Sequence, residues 1–399
     1  MVSDQEHIAL AEKYAAHNYH PLPVVITEAE GVWVTSADGK KYMDMLAGDE
    51  ALSFGHRHPE ITAVAKAQLD RVTLTSRAFH NDQLGLFAQA LCELCGMETV
   101  LPMNTGAEAV ETAIKTARKW GYLRKGVKAD KAKILACQNN FHGHTTTIIS
   151  FSTDPQARQD FGPYTPGFEL VPYGDVKALK KAMDANTVAF LVEPIQGEAG
   201  IIVPPAGYLQ EARKLCTDNK VLFIADEIQS GLGRTGTTFA CEQESVKPDM
   251  YILGKALGGG IMPISAVVSS RDALGVFRPG DHGSTFGGNP LAVAIARKVI
   301  EILKTGKYQS QAKEVGAYLF DKLRALQVSK VKEIRGRGLW VGIELKKEAG
   351  VARPYCERLM GEGLLCKETH EQTIRLGPPL CLTREDVDWA LERIETILR

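Results

Sequence analysis

Lys255 directly follows an apolar run and precedes a cluster of glycines, in MYILGKALGGG. Asp226 closes another apolar run, VLFIAD, 29 residues upstream. Each has a bland reading alone. A lysine at a strand end often snorkels its ammonium to water, and an aspartate there often caps a helix or makes a structural hydrogen bond. A lysine held in a poorly solvated pocket behaves differently: its pKa falls, and the neutral amine becomes a nucleophile suited to Schiff-base chemistry. A semi-buried carboxylate close by can keep a heteroaromatic nitrogen protonated.

A Schiff-base lysine and an acidic partner for a pyridinium nitrogen are together what pyridoxal phosphate requires of a protein. Two further fragments fit such a site. In MNTGAEAVETAIK, residues Asn104 to Ala107 open a strongly amphipathic helix, whose N-terminal amides suit a phosphate. In FHG, Phe141 offers a flat ring for stacking at the end of another apolar run. A third motif misleads. GLGRTG, residues 231–236, fits the dinucleotide fingerprint G-x-G-x-x-G. Its first glycine does not follow the strand directly, and TTFACEQESVKPD after it has little helical periodicity, so it reads as a flexible loop near a ligand.

The elements that must position these residues alternate. Short β-branched runs (TVLPM, KILAC, VAFLVEP, VLFIADE, MYILG, ISAVVSS) are separated by helical patterns such as AEAVETAIKTARKWGYL and YLQEARKLCTDN. That predicts an α/β fold with a mostly parallel sheet covered on both faces, and ligands gathered at the strands' carboxyl ends. The polar residues there are Asn104 to Gly106, Phe141 to Gly143, Glu193, Asp226 to Gln229, and Lys255. Beyond GGNP the texture changes to two long helices, short strands and a last helix from about Arg384, which reads as a smaller α+β domain. The expected division is 50–289 for a large domain, and 1–49 with 290–399 for a small one.

The 47 Lys and Arg against 48 Asp and Glu leave a net charge of -1, so no global field draws nucleic acid or an anionic membrane. No apolar run of spanning length is present and the start MVSDQEHIALAEKY is too polar for a signal peptide, so a cytoplasmic protein is expected. The eight cysteines, including the CxxC of Cys92 and Cys95, read as buried reduced thiols. His56 and His58 in GHRHP read as turn chemistry; no metal site is expected.

NTGAEAVETAIK, EPIQGEAGIIVPP, DEIQSGLGRTG, ILGKALGGG and GSTFGGNP together resemble the class III pyridoxal-phosphate aminotransferases of fold type I. HNYHPLP, LTSRAFHND, MNTGAEAVE and RPYCERLMGEGLLCKETH are similar to the ornithine δ-aminotransferases within that class. The resemblance runs from about Tyr14 to the C-terminus. It implies that Lys255 binds the cofactor and shuttles the substrate proton, that Asp226 pairs with the pyridine nitrogen, and that Gln229 bonds the ring's 3′ oxygen. Phe141 would stack on the ring beside His142, while Thr105, Gly106 and Ala107 would contact the phosphate. Ser284 and Thr285 would reach the phosphate in the other subunit, which implies a homodimer with its active site at the interface. Glu198 and Arg375 would form a switchable pair that opens for glutamate or 2-oxoglutarate. Tyr19 would help hold the ornithine α-carboxylate. The implied reaction moves the terminal amino group of ornithine or a related amine to 2-oxoglutarate, giving glutamate 5-semialdehyde (or another aldehyde) and glutamate.

Two substrate positions depart from that pattern. The family's FHG runs on into an arginine that clamps the ornithine α-carboxylate, whereas this chain has His144. A channel-lining tyrosine is replaced by Asp49, in AGDEAL. Losing a charged contact is worth roughly 1.5–3 kcal/mol, and an anion at Asp49 should repel a carboxylate. The alternative expectation is a retuned enzyme that prefers a diamine or other ω-amine.

Overall fold

A computed structural model describes residues 3–399 of the chain. A seven-stranded sheet runs in the order Thr99–Met103, Ser265–Ser269, Met250–Leu253, Leu222–Asp226, Thr187–Val192, Lys133–Cys137, Phe168–Val171. Each apolar run singled out in the sequence supplies one of these strands. All neighbours are parallel except Ser265–Ser269, which is antiparallel to both of its partners. The central strands are buried along their whole length, as a sheet covered on both faces requires. Alternate residues serve opposite faces: Leu222 and Ile224 pack with Ala109, Val110 and Ala113, while Phe223 and Ala225 join the larger core on the other side.

The helix Gly106–Trp120 begins where its sequence says it should. Thr105 accepts the Glu108 N–H, and Glu108 accepts the Thr105 N–H in return, a reciprocal cap. The helix Pro290–Lys304 is capped by Asn289 and lies against the helices Pro59–Leu69 and Leu84–Cys95. Two four-stranded sheets complete the chain. Ile26–Glu30, Trp33–Ser36 and Lys41–Asp44 form one, joined by Leu364–Leu365 from the far end of the sequence. Val331–Arg337, Trp340–Leu345, Thr373–Leu376 and Lys367–Thr369 form the other, and Arg384–Leu398 is the last helix. All eight cysteines are free thiols, six of them buried. His56 bonds Asp44 and His58 bonds Tyr308, so the two histidines of GHRHP serve separate contacts.

Candidate active site

The parallel strands end on one side of the sheet, and their carboxyl-end loops enclose a cavity of about 190 Å³. Gly106, Ala107, Phe141, Asp226, Gln229 and Lys255 line it. The structure therefore brings together residues spread over some 150 positions of sequence, for a topological reason: each closes or follows a neighbouring strand.

Asp226 is almost wholly buried. Its Oδ1 accepts the Ile228 N–H at 3.1 Å, and its Oδ2 lies 2.6 Å from His142 Nδ1. Burial opposes a charge on His142, but the hydrogen bond and charge of Asp226 outweigh it and raise its pKa. His142 thus acts on the cavity through Asp226. Behind them, Glu193 accepts the Phe141 N–H at 2.9 Å and the Gly197 N–H at 3.3 Å, which pins the FHG segment. Burial pushes the Glu193 carboxyl up to about 8.

The residues present fit pyridoxal phosphate on three observations. The cap formed by Thr105 and Glu108 leaves the Gly106 and Ala107 N–H groups at the helix N-terminus, where backbone donors have no helical acceptor. Gln229 lines the cavity, and its Nε2, which donates to Glu198 Oε1 at 3.3 Å, is a donor of the kind an anionic ring oxygen needs. A Cβ at Gly197 would sit 2.2 Å from Gln229 Oε1 and 2.7 Å from the Trp340 ring, so only glycine leaves Gln229 its present place. Lys255, with φ +41, directs Nζ to the Asp49 carbonyl at 2.6 Å and to Glu50 Oε2 at 3.5 Å.

At the rim, Glu198 Oε1 lies 2.6 Å from Arg375 Nη1 and accepts Gln229 Nε2 at 3.3 Å. Burial works against the Arg375 charge, yet Glu50, Glu198 and Asp49 together hold its pKa above the ordinary value. Burial likewise opposes ionisation of Glu198, and Arg375 and Lys255 overcome it, keeping that carboxyl low. Asp49 Oδ1 contacts Arg375 Nη2. The anion expected to stand free and repel a substrate carboxylate is therefore already paired with a cation. His144 is exposed, edge-on to Phe141 with 5.1 Å between ring centroids, and shares an adjoining cavity of about 210 Å³ with Glu198 and His370.

Three expected residues lie farther out. Ser284 bonds Asn104 Nδ2 at 2.8 Å within its own chain, and Thr285 is exposed beside it. Tyr19 is 76% exposed. Sequence reasoning missed the roles of Glu50 and Trp340. Glu50 is 1% exposed and accepts Trp340 Nε1 at 3.1 Å, between Lys255 and Arg375. An indole inside the apolar run LWVGIEL needs a buried acceptor, and that is the one signal that could have pointed to it.

A family model for class III aminotransferases matches residues 14–398. The chain is 57% identical to an ornithine aminotransferase of Geobacillus sp., covering 100% of this chain and 99% of that one. It is 55% identical to the ornithine aminotransferase of Bacillus subtilis, over 99% and 98% of the two chains. The crystal structure of ornithine aminotransferase from Toxoplasma gondii superposes with a TM-score of 0.98 at 44% identity, covering 100% of this chain and 95% of that chain.

Proposed function

Because the chain belongs to the class III aminotransferases, we propose that it transfers the δ-amino group of ornithine to 2-oxoglutarate, yielding glutamate 5-semialdehyde and glutamate. Enzymes of this class use pyridoxal phosphate, which supplies an electron sink when bound and so makes the carbon bearing the amine acidic. Lys255 binds it and then moves the proton at that carbon. Asp226, oriented by His142, holds the proton on the ring nitrogen. Gly106 and Ala107, with Thr105 as their cap, receive the phosphate at the helix N-terminus. Gln229 bonds the ring oxygen, and Phe141 covers the ring face. His144 and Tyr19 meet the distal end of ornithine.

The observation that carries this reading is the Glu198–Arg375 pair on the rim of the cavity that holds Lys255. One site must accept a cationic amine in one half-reaction and a dicarboxylate in the other, and a guanidinium covered by a displaceable carboxylate serves both. Full-length identity of more than half to proteins named ornithine aminotransferase supports ornithine as donor. The diamine alternative, which rested on His144 and Asp49, is not favoured by that identity, and the Asp49 charge is paired with Arg375. The active form would be a homodimer in which Ser284 and Thr285 face the other subunit's phosphate. The division into 50–289 and 1–49 with 290–399, and a cytoplasmic location, belong to the same proposal; no helix among the described residues is long and apolar enough to cross a membrane.

Steady-state kinetics of the holoenzyme with 2-oxoglutarate as acceptor should give ornithine a higher kcat/KM than putrescine or a simple primary amine. A higher value for putrescine would overturn the assignment of the donor.

A further inference from the structure

Three carboxylates surround Arg375, and they are not equivalent. Glu198 holds Nη1, Asp49 holds Nη2, and Glu50 Oε1 lies 3.6 Å from Nε. The Glu50 side chain is 1% exposed and held by Trp340, whereas those of Asp49 and Glu198 are 58% and 35% exposed. Glu50 is therefore built in, and the other two are the more accessible of the three.

A guanidinium grips a carboxylate through two parallel N–H bonds, either from Nη1 and Nη2 or from Nε and Nη2. Both edges include Nη2. Withdrawal of Glu198 alone frees the N–H groups of Nη1, while the Asp49 carboxylate still stands on Nη2, the nitrogen shared by both edges, and its charge opposes a second carboxylate there. We propose that Asp49 is a second latch on Arg375: a dicarboxylate substrate obtains its two-bond grip only after both Asp49 and Glu198 have let go, while Glu50 keeps the guanidinium in place. The backbone supports this role. Ala47, Gly48, Asp49 and Glu50 all have positive φ, between +52 and +67, and this left-handed turn aims two successive side chains at one arginine.

The inference rests on the aminotransferase reading above, and glutarate, a dicarboxylate that cannot react, separates the two. Calorimetric titration of the holoenzyme with glutarate should show tighter binding in Asp49→Asn by about tenfold, the factor by which a latch closed roughly nine-tenths of the time weakens apparent affinity. Asparagine keeps the shape and tolerates the left-handed backbone; Asp49→Gly, which adopts it without strain, should tighten binding in the same direction. Glu198→Gln should act similarly, and the double variant should bind more tightly than either single one. Unchanged or weaker glutarate binding in both Asp49 variants, with tightening in Glu198→Gln, would overturn the second latch and leave the proposed reaction standing. Failure of the unaltered holoenzyme to move an amino group from ornithine to 2-oxoglutarate would instead overturn the reaction itself.

Discussion

The groups that react were legible one at a time, because a lysine or an aspartate at the end of an apolar run stands out against its neighbours. Lys255, Asp226 and Gln229 meet in one cavity for that reason. What tunes them was less visible. Glu193 was noticed only as a polar residue at a strand end, yet it pins Phe141 and sits beside the His142–Asp226 pair. Its carboxyl has an ordinary value of 4.5 and is pushed up to about 8 by burial. The folded protein keeps a proton there that the unfolded chain gives up. Its stabilising contribution is therefore complete below about pH 4.5 and is lost as the pH rises towards about 8. Glu193→Gln is neutral at every pH, and its oxygen still accepts the Phe141 N–H. Its melting temperature relative to the parent protein should climb between about pH 5 and about pH 8, and a constant difference would mean that Glu193 is ionised in the fold.

At the scale of elements, the strands and helices followed from periodicity, since a run such as VAFLV has no amphipathic alternative to a fully covered strand. The turn over residues 47–50 did not. AGDE looks like an ordinary polar connection, but its residues wind left-handed, a conformation that disfavours side chains by about 1–2 kcal/mol per residue. Only Gly48 adopts it freely. A Cβ there would also meet Leu52 Cδ1 at 3.3 Å. Gly48→Ala should therefore lower stability to urea by about 1–2 kcal/mol. A variant as stable as the parent would show that the turn relaxes at no cost.

Over the whole molecule, one continuous core includes Val32, Phe87, Phe223, Val293 and Leu376, drawn from segments far apart in the chain. Arg234, from the loop that spells GLGRTG, is fully buried where these segments meet. It donates to the Leu339 and Pro378 carbonyls at 3.1 and 2.5 Å, and to Ser53 Oγ at 3.1 Å. Burial draws its pKa down to about 10, so it remains cationic at neutral pH. The motif that imitates a nucleotide loop thus joins distant parts of the chain. Arg234→Met leaves three buried acceptors without a donor and should lower unfolding free energy by about 3 kcal/mol, measured by denaturant titration. A loss below about 1 kcal/mol would show that the core alone holds these parts together.

From the sequence alone followed the α/β class, the strand ends that carry the chemistry, and the resemblance that named a cofactor and a reaction. These depend on local periodicity and on motifs contiguous in the chain. The tertiary structure alone decided the charge state of the rim. Asp49 and Arg375 stand 326 positions apart, and whether that carboxylate repels a substrate or neutralises an arginine depends on which group folding puts against it. Coulomb interactions fall off with distance through the fold, not with separation along the chain.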